Sequence, residues 1–510
     1  MSLSIREALA GQTLFITGCT GFVGKVVLEK VLRSVPDIKQ VFILVRPRKN
    51  VTADERLAKI FDSQIWERLR EERPDFDEWW KTKVFAAPGD VVLPNAGLSE
   101  AWQQRFRDEV NMVVHCAATI DFDCRLDLAV QLNVMGLLGL MNLASQCRDM
   151  RAFVHTVYPL EFDIDRWLED VKKLTPAQLD KDAIRETGML HGFPNTYCLT
   201  KNVAEQLALR KVGETGLPFS IVRPSMVGAA VEEPVPGWVD AIAAVGAGVF
   251  FAGVGFLRIL HGNPENLSDI VPVDHVANTL LLNLAVTSQK HASCRQRQVA
   301  YKSTDVTVLH AATSGSDNPT TWGHSLRALE YFQASPMSKA IAWPHVIFIG
   351  NQRVYEGLFH LMYRAPNAVL QRLADSKLVG NEAMRKKAQL MSKVIDKLHA
   401  FMRAFDFFVR HEWAYDVSVR TAYDSELSPV ERHVFGTSLT HMDWLMYMKC
   451  FCHGMATFVV KDATPFSAVY KRPSGFQGVS PALLRTLELA VPGVYSNRRP
   501  VQTHKLRARL

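Results

Sequence analysis

The 510-residue chain has no paired cysteine spacing of the kind that holds zinc. Its eight cysteines, at 19, 116, 124, 147, 198, 294, 450 and 452, are scattered. Cys450 and Cys452 sit in an aromatic, Met-containing run that reads as core. This excludes a metal-stapled or disulfide-stapled class, leaves no candidate metal ligands, and fits reduced thiols in a cytoplasmic protein. There is no lysine-rich block: the net charge of +7 is spread along the chain. That excludes a nucleic-acid footprint and still permits an anionic ligand. Repeats and low-complexity tracts are absent. The N-terminus carries Glu7 and lacks the apolar core of a secretory signal. Long uncharged runs are scarce too. Leu128 to Cys147 contains Gln131, Asn133, Asn142, Ser145 and Gln146, which suits a packed helix. Ala241 to Leu257 has no polar side chain, but its 17 residues, four of them glycine, fall short of the ~20 of a membrane span. It reads as a buried or pocket-lining segment, with peripheral membrane contact left open.

What is there is a large apolar content, 48% of residues, in a chain long enough for two domains. Strand-like runs at 13–17, 41–45, 83–87, 111–115, 152–158 and 218–223 alternate with helical patterns, notably at 22–34, 126–147 and 196–213. This predicts an α/β fold, a doubly wound parallel sheet with helices on both faces. Asp269 to Asn278 leads into an apolar helix ending near 286. Residues 223–268 read as Gly- and Pro-rich loops near a substrate. After about 288 the texture changes: a polar segment, one strand-like run at 298–302, then long helical patterns rich in Phe, Met and Trp. The expected organisation is a first domain over 1–290 and a mainly helical second domain over 291–510, ending in a basic tail from Asn497 to Leu510.

The most informative segment is Thr13-Leu-Phe-Ile-Thr-Gly18-Cys-Thr-Gly21-Phe-Val-Gly24. A buried strand runs into a glycine turn and then a helix. The glycines let the backbone approach a pyrophosphate, and the helix N-terminus offers free N–H groups. The spacing resembles that of extended short-chain dehydrogenases and reductases. The second strand ends Val45-Arg46-Pro-Arg48-Lys49, where an NAD site would carry an acid. Arg46 and Arg48 suit a 2′-phosphate instead, through charge-assisted bonds, so NADPH is the expected cofactor. Asp90, after the third strand, is placed to meet the adenine amino group. Small residues in His115-Cys-Ala117-Ala118 let the nicotinamide half lie against the chain. Tyr197-Cys-Leu-Thr-Lys201 puts a phenol and an ammonium on one helix face. The ammonium is expected to lower the phenol pKa, so that Tyr197 can protonate an oxygen that receives hydride. Thr156, at the end of the fifth strand, is the candidate third hydroxyl.

Taken together, the chain resembles the alcohol-forming fatty acyl-CoA reductases over nearly its whole length. The resemblance rests on Thr17 to Gly24, His115 to Phe122, Tyr197 with Lys201, and Arg223-Pro-Ser-Met-Val-Gly with Glu233-Pro-Val-Pro-Gly-Trp238. It continues through Ile270 to Asn278, Thr313 to Pro319, Phe407 to Asp416, and Met442 to Tyr447. It implies a Rossmann-type reductase domain and the family's C-terminal domain, with cofactor contacts from Thr17, Gly18, Thr20, Gly21, Phe22, Val23, Gly24, Ala117, Asn133, Lys201 and Pro224. It also implies NADPH-dependent reduction of a long acyl thioester through the aldehyde to a primary alcohol. The family has a Val-Ser-Thr type turn after the fifth strand, and here two registers are open. Either Thr156 stands for that hydroxyl, or Val157-Tyr158-Pro159 is the later segment and the turn is missing. The second register leaves an aldehyde-only reductase, or a non-catalytic NADPH- and lipid-binding homologue, as alternatives. Acyl length, thioester carrier and oligomeric state are not written in these motifs.

Overall fold

A computed structural model describes residues 3–122, 124–155, 162–180, 183–376, 380–462 and 494–495. Its chain forms two compact units. Unit 1 comprises Met1–Trp238, Val271–Ser316 and Tyr415–His441, and unit 2 comprises Val239–Ile270, Asp317–Ala414 and Met442–Leu510. This interleaving differs from the single expected cut at 290.

Unit 1 is built on seven strands: β1 Thr13–Thr17, β2 Gln40–Val45, β3 Val84–Pro88, β4 Met112–His115, β5 Ala152–His155, β6 Phe219–Pro224 and β7 Thr307–Ala311. All pairs are parallel and the order is 7-6-5-4-1-2-3. That is the order of a Rossmann sheet with one strand added. Every residue of β1 is buried, as expected of a strand covered on both faces. Side chains alternate across it, and Phe15 joins Phe42, Val113, Phe153 and Phe219 in one core cluster. Leu140 of helix Gly136–Ala144, and Leu199, Val203 and Leu207 of helix Thr196–Thr215, belong to the same cluster. Against the sheet also packs helix Val273–Gln296, in contact with β5, β6, β7 and the first helix after β1. The first helix, α1, is Phe22–Ser34, and α2 is Thr196–Thr215.

The expected strand at 298–302 is not one. Tyr301 is buried there in a loop, its hydroxyl donating to the Phe219 and Asp305 carbonyls. An apolar residue serving as an anchor mimicked a strand, and the added strand is β7. The expected loop region 223–268 also holds helix Ala244–Gly253 and strand Ile259–His261.

Among the described residues one helix, Leu126–Ala144, is long and apolar enough to cross a membrane, and over half of it is buried. Its hydrogen bonding widens to π spacing over Gln131–Met135.

Unit 2 is largely helical. Its described helices include Ala244–Gly253, Trp322–Ala328, Gln352–Phe359, Ala365–Asp375, Glu382–Arg410 and Trp444–Gly454. Strand Ile259–His261 pairs in parallel with Ile347–Ile349, which pairs antiparallel with Val494–Tyr495. Cys452 is buried on helix Trp444–Gly454, as core. The tail from Asn497 lies outside the described residues.

Candidate active site

The glycine turn meets its steric requirements. Gly18 has φ +81, and a Cβ there would sit 2.9 Å from the backbone nitrogen of Ala117. At Gly24 a Cβ would lie 2.5 Å from the Gly18 carbonyl oxygen. Gly21 is the N-cap of α1 and supplies no side-chain cap, so the first N–H groups of this 13-residue helix are left for a ligand. Thr20 and Gly21 are exposed, Phe22 and Val23 half-buried. These residues fit a dinucleotide: a close backbone approach, and a helix N-terminus with no competing side chain.

At the end of β1, the buried Thr17 hydroxyl shares a 2.8 Å hydrogen bond with Nδ1 of His115, and accepts from the Ala117 N–H at 3.1 Å. This fixes the loop after β4 beside the glycine turn, with Ala117 half-buried there. Phe22 stacks on Trp238, ring centroids 5.4 Å apart. The segment leading to Trp238 is itself clamped. Asp274 accepts from the N–H groups of Val231, Glu232 and Glu233 at 2.9–3.1 Å, and Glu233 pairs with Lys30 and Arg33 of α1. Glu233 and Asp274 are thus positioning residues that only their motif context signalled. Pro224 ends β6, in register with Ala311 of β7.

At the end of β2, Arg46 and Arg48 are exposed. Asp90 faces Arg46, Nε to Oδ2 2.8 Å, so in this structure it neutralises an arginine. Sequence reading missed Arg56, ten residues on. It donates to the Arg46 carbonyl, and its guanidinium pKa is lowered by burial and then by repulsion from Arg48 and Arg46. Three guanidinium groups therefore gather here. The signal was available: Arg56 lies one turn into helix Ala53–Phe61, which starts immediately after the Arg48 turn.

Helix α2 begins at an Asn195 cap, whose side chain accepts from Cys198 N at 2.8 Å, and ends at Gly216 in the left-handed region. Tyr197 lies in its first turn and Lys201 one turn further. The Thr196 hydroxyl donates to the Cys124 carbonyl at 2.8 Å, and the Tyr197 ring lies 5.5 Å from that of Phe122. Asn133, in the π segment, accepts from Thr119 N at 3.0 Å and donates to the Thr200 hydroxyl at 3.0 Å. It thereby ties the loop after β4 to the turn of α2 that lies between Tyr197 and Lys201. π segments occur often at functional sites. From the other side, Arg223 of β6 pairs with the buried Glu205 of α2 at 2.6 Å.

Neither the Tyr197 hydroxyl nor the Lys201 Nζ makes a hydrogen bond among the described residues. Burial lowers the Lys201 pKa to about 8. Its charge is felt at His115, Cys116 and His155. Burial and, secondarily, Lys201 hold His115 at about 3, and the same causes push His155 well below its ordinary value. Both rings are therefore neutral. Burial pushes the Cys116 thiol up to about 12, so it is no nucleophile. One expectation is corrected. Tyr197 is not acidified by Lys201 in this ligand-free chain: burial raises its pKa, followed by Cys198. Thr156 lies outside the described residues.

Two family profiles, both described as male sterility protein, match residues 16–280 and 377–462. Fatty acyl-CoA reductase 1 of Mus musculus is 31% identical over 484 residues, 90% of this chain and 87% of the mouse protein. Fatty acyl-CoA reductase 2 of Bos taurus is 30% identical over 474 residues, covering 90% and 86%. Among solved structures, the terminal R domain from the myxalamid PKS-NRPS pathway aligns with TM-score 0.54 at 18% identity, covering 88% of this chain and 90% of that one. The reductase domain of a nonribosomal peptide synthetase from Mycobacterium tuberculosis aligns with TM-score 0.51 at 16% identity, covering 88% and 94%. These two share the fold.

Proposed function

We propose that this chain, which belongs to the fatty acyl-CoA reductase family, reduces a long-chain fatty acyl thioester to the primary alcohol with NADPH. The observation that carries the reading is the pair Tyr197 and Lys201, one turn apart on α2, both with polar ends left unpartnered beside a glycine turn built for a dinucleotide. The α1 N-terminus and Gly18 would hold NADPH, which would supply the hydride. Lys201, whose Nζ makes no hydrogen bond among the described residues, is available to hydrogen-bond the cofactor's ribose. The Arg46, Arg48 and Arg56 group suits a 2′-phosphate, since a dianion there would relieve the repulsion among the three.

Tyr197 keeps its proton, because its pKa is raised in the buried site. It therefore acts as donor from the neutral form. As negative charge develops on the substrate carbonyl oxygen, a preorganised O–H in a water-poor site stabilises it and then delivers the proton. Loss of the thiol from the resulting hemithioacetal leaves an aldehyde; a second hydride, which a fresh NADPH would supply, and a proton from the same donor, recharged from solvent, give the alcohol. Coenzyme A is the expected thiol carrier, as in the names of the relatives.

The test is NADPH oxidation with acyl-CoAs and with free fatty aldehydes, with the products identified, for wild type and Tyr197→Phe. Alcohol from acyl-CoA is expected. The variant should lose roughly 10²–10⁴-fold in turnover while binding NADPH normally. Aldehyde reduction without thioester reduction would replace the two-step reading with an aldehyde reductase. Equal turnover by Tyr197→Phe would remove Tyr197 as donor.

A further inference from the structure

The apolar segment left open for membrane contact, Ala241 to Leu257, turns much of its surface inward. Val245, Val249 and Leu257 are buried and line a cavity of about 80 Å³ in unit 2. Apolar side chains reach solvent elsewhere in this unit, on helices Ala365–Asp375 and Glu382–Arg410. Asn367 and Gln371 of the first donate to the Ser392 hydroxyl of the second at 2.8 and 2.7 Å, and Arg385 Nε donates to the Ala374 carbonyl at 3.2 Å. These pairings run in opposite senses along the two helices, so they form an antiparallel hairpin. Residues 369–375 and 382–393 therefore share the end at which the chain turns. The Gly380 N–H donates to the Ser376 carbonyl at 2.9 Å there, and a Cβ on Gly380 would strike the Ala374 carbonyl.

At this end Val369 and Leu373, one turn apart on the first helix, and Leu390 on the second are 54%, 46% and 63% exposed. Ala388 and Ile395 are buried on the second helix, and at about 3.6 residues per turn Leu390 lies on the side away from them. Lys386 and Lys393 flank Leu390 at the spacing of one helix face. Residues 372–397 hold seven cations against three acids, a local net charge of +4 where the whole chain carries +7. That corrects the reading of an even spread.

Exposed apolar groups set among cations are what an interfacial element offers an anionic bilayer. The apolar groups enter the boundary of the acyl layer, and the cations meet the headgroups. A folded protein partner matches less well, because the core of a protein interface is depleted in charge. Here Val369 and Leu373 stand on one helix and Leu390 on the other, with Arg372 and Lys386 beside them. A fluid surface can take up a hairpin end from all its sides. We infer that the turning end of this hairpin docks on an anionic phospholipid surface, with Val369, Leu373 and Leu390 in the acyl boundary and Arg372, Lys386 and Lys393 at the headgroups. The surface lies within unit 2 and does not depend on the roles given to Tyr197 and Lys201.

The experiment is co-sedimentation of the full chain, without NADPH, with vesicles of phosphatidylcholine alone or with about 30% phosphatidylserine, at about 0.1 M and about 0.5 M salt. Binding to the mixed vesicles is expected at low salt, and at least ~10-fold weaker binding to phosphatidylcholine and at high salt. Lys386→Glu with Lys393→Glu should weaken it at least ~10-fold. Leu373→Ser with Leu390→Ser, which leaves the charge unchanged, should weaken it roughly 10-fold. Should a double variant not fold, Lys393→Gln and Leu390→Ala carry the same test at roughly 3-fold each. Lys172→Glu with Lys173→Glu, on helix Ile164–Lys173 of unit 1, should bind as wild type does. No binding to the mixed vesicles, equal binding to both vesicle types, binding untouched by the hairpin variants, or an equal loss in the Lys172 and Lys173 variant would each overturn the proposal. A dimer in gel filtration that the leucine variant dissolves, with no vesicle binding, would overturn it in favour of a second copy of the chain.

Discussion

Lys201 is 7% exposed, and burial disfavours its ammonium, which is why its pKa falls to about 8. The sign follows directly. Below pH 8 the charged form dominates, and above it the neutral amine does. If the ammonium is what holds ribose and substrate charge, kcat/KM falls on the alkaline side with an apparent pKa near 8. In Lys201→Arg, whose guanidinium stays charged, any residual activity should lack that limb. A wild-type profile flat to pH 10 would show that the ammonium is not required. Cofactor choice is a second matter of single residues. Replacing Arg46 and Arg48 with Ala should weaken NADPH roughly 10–100-fold per lost charge-assisted bond and leave NADH nearly unchanged. A wild-type preference for NADH, measured by titration, would contradict the role given to this loop. Arg46, Arg48, Tyr197 and Lys201 could be read from the chain because their motifs are local, within four residues. Arg56 was missed because its part depends on the turn that brings it back to the Arg46 carbonyl, and the only trace of that turn in the sequence is the helix start just after Arg48. The Tyr197 pKa was misjudged for a related reason. The spacing shows that two groups share a face, but burial, followed by Cys198 for Tyr197 and Cys116 for Lys201, sets how each titrates.

At the level of elements, the link that matters is Asn133. Its side chain joins Thr119, beyond β4, to Thr200 in α2, so the helix that carries the proposed proton donor is referenced to the loop that would line the cofactor. Asn133→Ala leaves the Thr119 N–H and the Thr200 hydroxyl short of a partner, a penalty of about 1–3 kcal/mol. We expect that loss in urea unfolding, together with a lower kcat from a misplaced Tyr197. Unchanged stability and unchanged kcat would reduce Asn133 to a bystander. Six of the seven sheet strands stood out in the sequence because parallel strands covered on both faces are continuous apolar runs. The seventh, β7, alternates buried and half-buried residues, and the run at 298–302, with Val299 and Tyr301, was read as the strand in its place. The buried or pocket-lining reading of Ala241 to Leu257 had a clear basis, a total lack of polar side chains, and Val245, Gly248, Val249, Ala252 and Leu257 do line the cavity of unit 2.

For the whole molecule, the interleaved chain is the feature that sequence texture hid. A change in composition near 290 marks where helices rich in Phe, Met and Trp begin, but unit 1 is not complete there. Arg420 donates to the His310 and Ala312 carbonyls at the end of β7. Glu431 accepts from the N–H groups of Ile5 and Arg6. A fragment of residues 1–290 lacks β7 and both of these side chains. It should give no cooperative thermal transition and no NADPH binding, and a soluble fragment with a sharp melting curve would refute that dependence. The same feature has a meaning for synthesis. The ribosome makes about 5–20 residues per second, so roughly 20–80 s separate the emergence of the glycine turn from that of Glu431. Within that time, the roughly 4–17 s between the emergence of β6 and that of β7 leave the nascent sheet with an open edge along β6. Such an edge can recruit any other extended chain. Whatever shields it is part of how this protein reaches its fold, and its yield in a foreign host should track that protection more closely than the stability of the finished molecule.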